Sequence, residues 1–170
     1  MATTMSRSGV ERYVAQAKEA LARRAAHRAR VRLLKFDTIA VHGMYSVEEA
    51  FSGGQGGIIE PIFPSTSQAY RDSDEMEAAL SYQIPTWCYS RIANPSIYYL
   101  EAVLALLEGY GMDGEASCCA TSSGMAAIAS ATDPFLAVDP AAPHTPLNFV
   151  ATCQVYGGTF QQFAVRKAVE

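Results

Sequence analysis

The second half of the chain alternates strand-like apolar segments with helical ones, and this order constrains the fold more than any other feature. A helix is predicted from Asn94-Pro95, because Asn can cap a helix, Pro fits its first turn, and Gly109 and Gly111 would stop it. Strand–helix–strand–helix order implies parallel strands joined by right-handed crossovers. We therefore expect an α/β fold with a mostly parallel sheet and flanking helices. The segments that follow are a strand (Ala116 to Ala120), a small-residue turn (Thr121 to Gly124), a helix (Met125 to about Ala131), a strand (Leu147 to Thr152) and a last helix after Tyr156-Gly157-Gly158-Thr159.

The stretch between residues 53 and 64 excludes regular structure. Four glycines lie between 53 and 57, and each loses much backbone freedom when it is ordered. Pro61 and Pro64 follow, and neither a helix interior nor a central strand accommodates them. We expect a loop, then an extended arm, then a short helix around Asp74 to Leu80.

Residues 1–35 form a basic segment on an otherwise acidic chain. They contain nine Lys or Arg and two Glu, a net charge of +7, so the remaining residues carry −11 of the total of −4. A helix is predicted from about Val10 to Leu34, with a narrow, Ala-rich apolar stripe that needs a partner surface. A basic arm can bind nucleic acid or an acidic membrane surface. The favoured interpretation is a helical extension outside the core that docks on the acidic body of its own or a neighbouring subunit.

The four cysteines have neither C-x-x-C spacing nor a His at zinc-ligand distance. Neither a metal site nor a disulfide framework is indicated. No stretch has the length of a membrane span, and the N-terminus lacks the apolar run of a secretory signal. These features predict a cytoplasmic protein, with neither nucleic acid nor a membrane as its partner.

The turn before the helix predicted at residue 125 is the first candidate site. A helix N-terminus leaves backbone N–H groups unpaired and carries a partial positive charge, which suits a phosphate. Gly124 would let the phosphate approach without a Cβ in the way, and Ser122 and Ser123 could add hydrogen bonds. Taken alone, small residues in such a turn more often serve packing.

Two further candidates lie elsewhere in the sequence. In Tyr89-Ser90-Arg91, the guanidinium could bind a phosphate bidentately and the tyrosine hydroxyl could add a donor. Tyr156, at the expected carboxyl end of a strand, could stack on a planar cofactor. Taken singly, a surface arginine and a core tyrosine are the more common explanations.

Six groups of short motifs follow one another along the chain: Val41-His42-Gly43, Pro61 to Ser67, Tyr89-Ser90-Arg91 with Asn94-Pro95-Ser96, Leu100-Glu101 with Leu107-Glu108-Gly109, Ser123 to Ile128, and Tyr156 to Phe160. In this order they resemble the N-terminal half of the Cys/Met-metabolism (transsulfuration) family of pyridoxal-phosphate-dependent enzymes. That family includes cystathionine γ-synthase, the cystathionine lyases, O-acetylhomoserine sulfhydrylase and methionine γ-lyase. The resemblance runs from about Phe36 onward, and the combination is far more specific than any one motif.

The resemblance implies part of the large domain of the aspartate-aminotransferase-type (type I) fold, with pyridoxal 5'-phosphate as the cofactor. The turn Ser123-Gly124-Met125 would bind the cofactor phosphate, chiefly through the backbone N–H groups of its last two residues. Tyr89 and Arg91 would reach the phosphate in the neighbouring subunit's active site. Tyr156 would stack on the pyridine ring and could transfer a proton. The working unit would be a dimer or a tetramer of dimers that shares its sites between subunits.

The resemblance also implies what this sequence lacks. Its lysines are Lys18, Lys35 and Lys167, and none occupies the position of the family's cofactor-linked lysine, which lies well after Tyr156. The aspartate that pairs with the pyridine nitrogen and the arginine that holds the substrate carboxylate would lie beyond residue 170. We therefore expect this chain to be inactive alone.

The predicted organisation is a basic helical extension (1–35), an arm and loops for subunit contact (36–95), and an incomplete cofactor-binding large domain (96–170). Between Leu136 and Phe149 the connection is longer than the family usually has. In the intact enzyme the expected reaction is replacement or elimination at the γ- or β-carbon of an O-acylhomoserine, cystathionine or a similar amino acid. The alternative is a non-catalytic interaction module, or a decayed homologue, that partners a full-length subunit.

Overall fold

The computed structural model describes residues 5–53, 55–85, 87–136 and 150–167. These residues form seven helices and fall into two compact units, divided between Cys118 and Cys119. No helix in these ranges is long and apolar enough to cross a membrane. The helices are α1 (Met5–Val31), α2 (Phe36–His42), α3 (Val47–Ser52), α4 (Ser73–Leu80), α5 (Pro95–Glu108), α6 (Gly124–Leu136) and α7 (Gly157–Lys167).

Helix α1 contributes to the core of the first unit. It packs closely on α4, because Gly9 has no side chain and a Cβ placed there would lie 1.8 Å from the Asp74 carboxylate. This differs from the expectation of a helix outside the core. The narrow apolar stripe of α1 is sufficient to form a buried contact, because α4 faces it with small residues and the two backbones can approach each other. The buried cluster between them contains Val10, Tyr13, Ala78, Ala79, Ile84 and Cys88.

Three basic side chains of α1 pair with acidic residues of the same unit. This agrees with the favoured interpretation, in which the basic helix docks on an acidic surface. The pairs are Arg12 with Asp72 at 3.3 Å, Arg23 with Glu48 at 3.5 Å and Arg24 with Glu49 at 3.4 Å.

A second apolar cluster lies between α2 and α5, and the end of α1 contributes to it. Helix α5 begins as predicted, because Asn94 Oδ1 accepts a hydrogen bond from Ser96 N–H at 2.9 Å and Pro95 occupies the first turn. Helix α4 is also confirmed, and Asp72 caps it. The buried residues of this second cluster are Val31, Ile39, Met44, Tyr99, Ala102 and Leu106.

The predicted parallel sheet is not confirmed. Within the described ranges no strand forms, and the one β pairing is an isolated antiparallel bridge between Ser67 and Tyr89. The predicted strand Ala116 to Ala120 has no regular secondary structure, and the second, Leu147 to Thr152, lies partly outside the described residues. A strand is defined by hydrogen bonds to a neighbouring strand, so an apolar segment without such a neighbour is not a strand.

The second unit has a smaller buried interior than the first. Helix α6 runs to Leu136 with Pro134 inside it, beyond its predicted end near Ala131, and it has no fully buried residue. Helix α7 begins at Gly157, so the tetrapeptide predicted as a turn already forms the first turn of the helix. The hydrophobic side chains of Phe135 and Phe160 are exposed. The described residues of this unit therefore bury little apolar surface among themselves.

The cap of α4 makes the stability of the first unit depend on pH. Asp72 accepts hydrogen bonds from the Glu75 backbone N–H at 2.9 Å and from the Tyr13 hydroxyl at 2.7 Å, and these hold the pKa of its carboxyl below the usual value. A lowered carboxyl pKa stabilises the fold above the unfolded pKa of about 3.9, and this contribution is lost as the pH falls through the folded pKa. We expect Asp72→Asn, which keeps a capping oxygen, to lower stability more at pH 7 than at pH 3. Urea denaturation at both pH values measures this, and an equal loss at both would contradict the assignment.

Candidate phosphate-binding site

The N-terminus of α6 is built around Ser123. Its hydroxyl oxygen accepts a hydrogen bond from the Ala126 N–H at 3.2 Å, and its carbonyl accepts from Ala127 N–H at 3.0 Å. The Thr121 hydroxyl donates to the same carbonyl at 2.9 Å, which fixes the turn before the helix. Ser123 is therefore the N-cap of α6, and its side chain satisfies the amide of the third helical residue.

This cap leaves the first two amides of α6 available. The N–H groups of Gly124 and Met125 have no hydrogen-bond partner in the described part of the chain. A Cβ placed on Gly124 would meet no atom within 4 Å, so the approach to both amides is open. Two unpaired N–H groups at the positive end of a helix dipole can bind an anion such as a phosphate.

The second sequence motif of this unit lies beside the first. Met125 Sδ is 3.7 Å from the Thr159 hydroxyl, and it would be 3.6 Å from a Cβ placed on Gly158. Thr159 is buried, and α6 contacts α7 there. The Ser123-Gly124-Met125 turn and the start of α7 are therefore brought together through the Met125 side chain.

Tyr156 precedes α7 and presents its ring to the surface. Its carbonyl accepts a hydrogen bond from the Phe160 N–H at 3.0 Å, which fixes the backbone, while the side chain is 80% exposed. The ring lies against Gly158, because a Cβ placed on that residue would be 3.1 Å from Tyr156 Cε1. An exposed aromatic ring on a fixed backbone can stack on a planar ligand.

The other two predicted residues, Tyr89 and Arg91, lie in the first unit. The guanidinium of Arg91 is 5.2 Å from the centre of the Tyr89 ring, which is 42% exposed. Within the described ranges no carboxylate forms an ion pair with Arg91. Both side chains are therefore available to an anion that is not part of this unit.

The segment that carries Tyr89 and Arg91 is tied to the extended arm. Ser90 N–H donates to the Thr66 carbonyl at 3.0 Å, and the Ser90 hydroxyl donates to the Ser65 carbonyl. The bridge between Ser67 and Tyr89 extends this pairing. The sequence predicted the arm and the loop as separate motifs and did not predict that Ser90 joins them. The position of Ser90 between Tyr89 and Arg91 was the signal that could have indicated this role.

Asn94 joins the same two segments at the start of α5. Its side-chain N–H donates to the Phe63 carbonyl at 2.9 Å, and Phe63 N–H donates to the Ser96 hydroxyl at 3.0 Å. Asn94 therefore both caps a helix and holds the arm, and the sequence predicted only the first role. The predicted site residues form two groups: Tyr89 with Arg91 in one unit, and the Ser123 turn with the region of Tyr156 in the other.

Comparison with known proteins extends these observations. A family model described as Cys/Met metabolism PLP-dependent enzyme, where PLP is pyridoxal phosphate, matches residues 37–168. Homocysteine/cysteine synthase of Kluyveromyces lactis is 38% identical over 130 residues, which cover 76% of this chain and 26% of that protein. O-acetyl-L-homoserine sulfhydrylase 1 of Thermus thermophilus is 36% identical over 132 residues, covering 78% of this chain and 28% of that protein. The chain thus spans about a quarter of the length of these relatives. No solved structure matches it significantly.

Proposed function

The chain belongs to the Cys/Met-metabolism family of pyridoxal-phosphate-dependent enzymes, and from this premise we propose that it binds the phosphate of pyridoxal phosphate as the N-terminal portion of such an enzyme. The observation that carries the proposal is the pair of amides at Gly124 and Met125, which lie open at the start of α6 and have no hydrogen-bond partner among the described residues. The two amides and the helix dipole would hold the phosphate without any change in the backbone.

The remaining residues of this unit fit the rest of the cofactor. The exposed ring of Tyr156 would stack on its pyridine ring, and the Tyr156 hydroxyl oxygen could take up or release a proton there. When bound, pyridoxal phosphate supplies an electron-withdrawing ring that stabilises negative charge on a substrate carbon. The protein groups proposed here bind and orient; none of the chain's lysines occupies the position expected for covalent attachment, which lies well after Tyr156.

The proposed reaction of the intact enzyme is a replacement or elimination at the γ- or β-carbon of an O-acylhomoserine, cystathionine or a similar amino acid. Support comes from the relatives, which carry the names homocysteine/cysteine synthase and O-acetyl-L-homoserine sulfhydrylase. The proposed partner is a second copy of the chain, whose site would receive Tyr89 and Arg91. The guanidinium of Arg91 supports this role, because it forms no ion pair within the described ranges and can bind a phosphate bidentately.

Calorimetry with two ligands tests the proposal. The chain is expected to bind pyridoxal phosphate about tenfold to a hundredfold more tightly than pyridoxal, which has no phosphate to accept charge-assisted hydrogen bonds from the protein. After borohydride treatment, mass spectrometry is expected to find no cofactor covalently attached. Equal affinities for the two ligands would contradict phosphate recognition, and a covalent adduct would show that Lys18, Lys35 or Lys167 reaches the cofactor.

A second candidate function is a non-catalytic module that lends residues to a full-length subunit. Tyr89 and Arg91 favour it, because both side chains are exposed and Arg91 forms no ion pair within the described ranges. The same calorimetry separates the two functions: a lending module, or a decayed homologue, would bind neither ligand on its own.

A further inference from the structure

Arg24 of α1 contacts the segment that carries Tyr89 and Arg91, because its guanidinium lies over two aromatic rings. The Arg24 guanidinium carbon is 5.4 Å from the centre of the Trp87 ring and 5.3 Å from that of Tyr98. The two rings are 5.4 Å apart and tilted by 52°. Arg24 is thus in cation–π range of both, and it links α1 to the segment after residue 86 and to α5.

The orientation of Arg24 is set by Glu49. Arg24 Nε lies 3.4 Å from Glu49 Oε1, and the two side chains are only 32% and 23% exposed. Glu49 is itself held by the capping box of α3, because it accepts a hydrogen bond from the Ser46 N–H at 3.2 Å while its own N–H donates to the Ser46 hydroxyl at 3.2 Å. The neighbouring pair of Arg23 with Glu48 is far more exposed. Arg24 is therefore more strongly ordered than the other arginine that faces α3.

Trp87 is the anchor of the segment on its N-terminal side. It lies two residues before Tyr89, and the intervening Cys88 is buried in the first apolar cluster. On the other side the segment is anchored by Asn94. Tyr89 and Arg91 project between these two anchors, so loss of either anchor would let both side chains spread over more conformations.

We propose that Arg24 is a positioning residue that fixes Trp87 and thereby presents Tyr89 and Arg91 to the cofactor phosphate of a second copy of the chain. The inference rests on the proposed phosphate binding. It assigns a role in the site to α1, which lies outside the residues 37–168 that match the family. The helix is then an integral part of this protein's site and not only a docking extension.

Trp87 allows the inference to be tested directly, because it is the only tryptophan in the chain. We compare Arg24→Met, which keeps the length and packing of the stem, with Arg30→Met on the same helix; Arg30 has no side-chain hydrogen bond, ion pair or ring contact within the described ranges. The first variant is expected to raise acrylamide quenching of Trp87 by about twofold or more and to weaken pyridoxal phosphate binding by about three- to tenfold. Arg24→Lys should recover part of both, and Arg30→Met should change neither.

A double variant separates positioning from a general loss of structure. In an Arg91→Met background, Arg24→Met should cause a smaller loss of affinity than it causes in the wild-type chain, because one of the two residues that it positions is already absent. An additive loss, or an increase in quenching without any loss of affinity, would overturn the inference. If the wild-type chain binds no pyridoxal phosphate, the proposed function fails and the inference falls with it. If the wild-type chain and Arg24→Met bind equally, only the positioning role is contradicted.

Discussion

Replacement of Ile39 with alanine is expected to lower the free energy of unfolding by about 2–5 kcal/mol, the range for removing a large buried aliphatic side chain. Ile39 is 1% exposed and is the largest fully buried side chain among the described residues. It lies on α2 and contributes to the cluster that joins this helix to α5 and to the end of α1. The truncation leaves a cavity that three helices line, so little of it can be filled by relaxation.

Val41→Ala is the matched control, because Val41 is on the same short helix but is 78% exposed. It should change the free energy of unfolding by less than about 0.5 kcal/mol. Urea denaturation followed by circular dichroism measures both variants. Similar small changes in the two would mean that α2 does not pack on α5 in solution.

Replacement of Gly124 with valine is expected to weaken pyridoxal phosphate binding by about tenfold or more, which corresponds to about 1.4 kcal/mol. The valine side chain would occupy the open space in front of the Gly124 and Met125 amides, where the phosphate is proposed to lie. The fold should not change, since a Cβ at this position meets no atom within 4 Å and glycine is not needed for a positive φ there. Gly124→Ala should cause a smaller loss of affinity.

Gly114→Val provides a control for the added side chain. A Cβ at Gly114 also meets no atom within 4 Å, and Gly114 lies outside the α6 turn, in the first unit. Calorimetry with pyridoxal phosphate should find its affinity equal to that of the wild-type chain. If Gly124→Val also binds normally, the cofactor phosphate is bound elsewhere. If both valine variants bind weakly, the effect does not arise from access to the α6 amides.

The two groups of site residues differ in what holds them in place. The α6 turn is ordered by local hydrogen bonds within a few residues, around Ser123. The segment of Tyr89 and Arg91 is ordered by contacts that are distant in sequence: the arm through Asn94 and α1 through Arg24. Substitutions in α1, outside the residues 37–168 that match the family, are therefore expected to affect the segment of Tyr89 and Arg91 and not the α6 turn.

Local chemistry made part of this protein predictable from sequence. Asn94 and Pro95 predicted the start of α5 because capping and proline preference act within one turn, and α4 was predicted for similar reasons. The ordered motifs identified the family and the cofactor, which the match over residues 37–168 confirms. They could do so because each motif consists of neighbouring residues and their order along the chain can be read directly from the sequence.

Only the tertiary structure decided how distant segments meet. It places Val10 and Tyr13 of α1 in a core, where the sequence predicted an extension, because the small residues of α4 supply the partner surface that the narrow apolar stripe of α1 needs. It joins the arm to the loop of Tyr89 through Ser90 and Asn94. The predicted sheet stays a prediction, because a strand requires hydrogen bonds to a neighbouring strand, and the described segments form only one isolated bridge. Caps, turns and motifs are properties of neighbouring residues, so the sequence by itself determined them, whereas helix contacts and strand pairing depend on which surfaces meet in space.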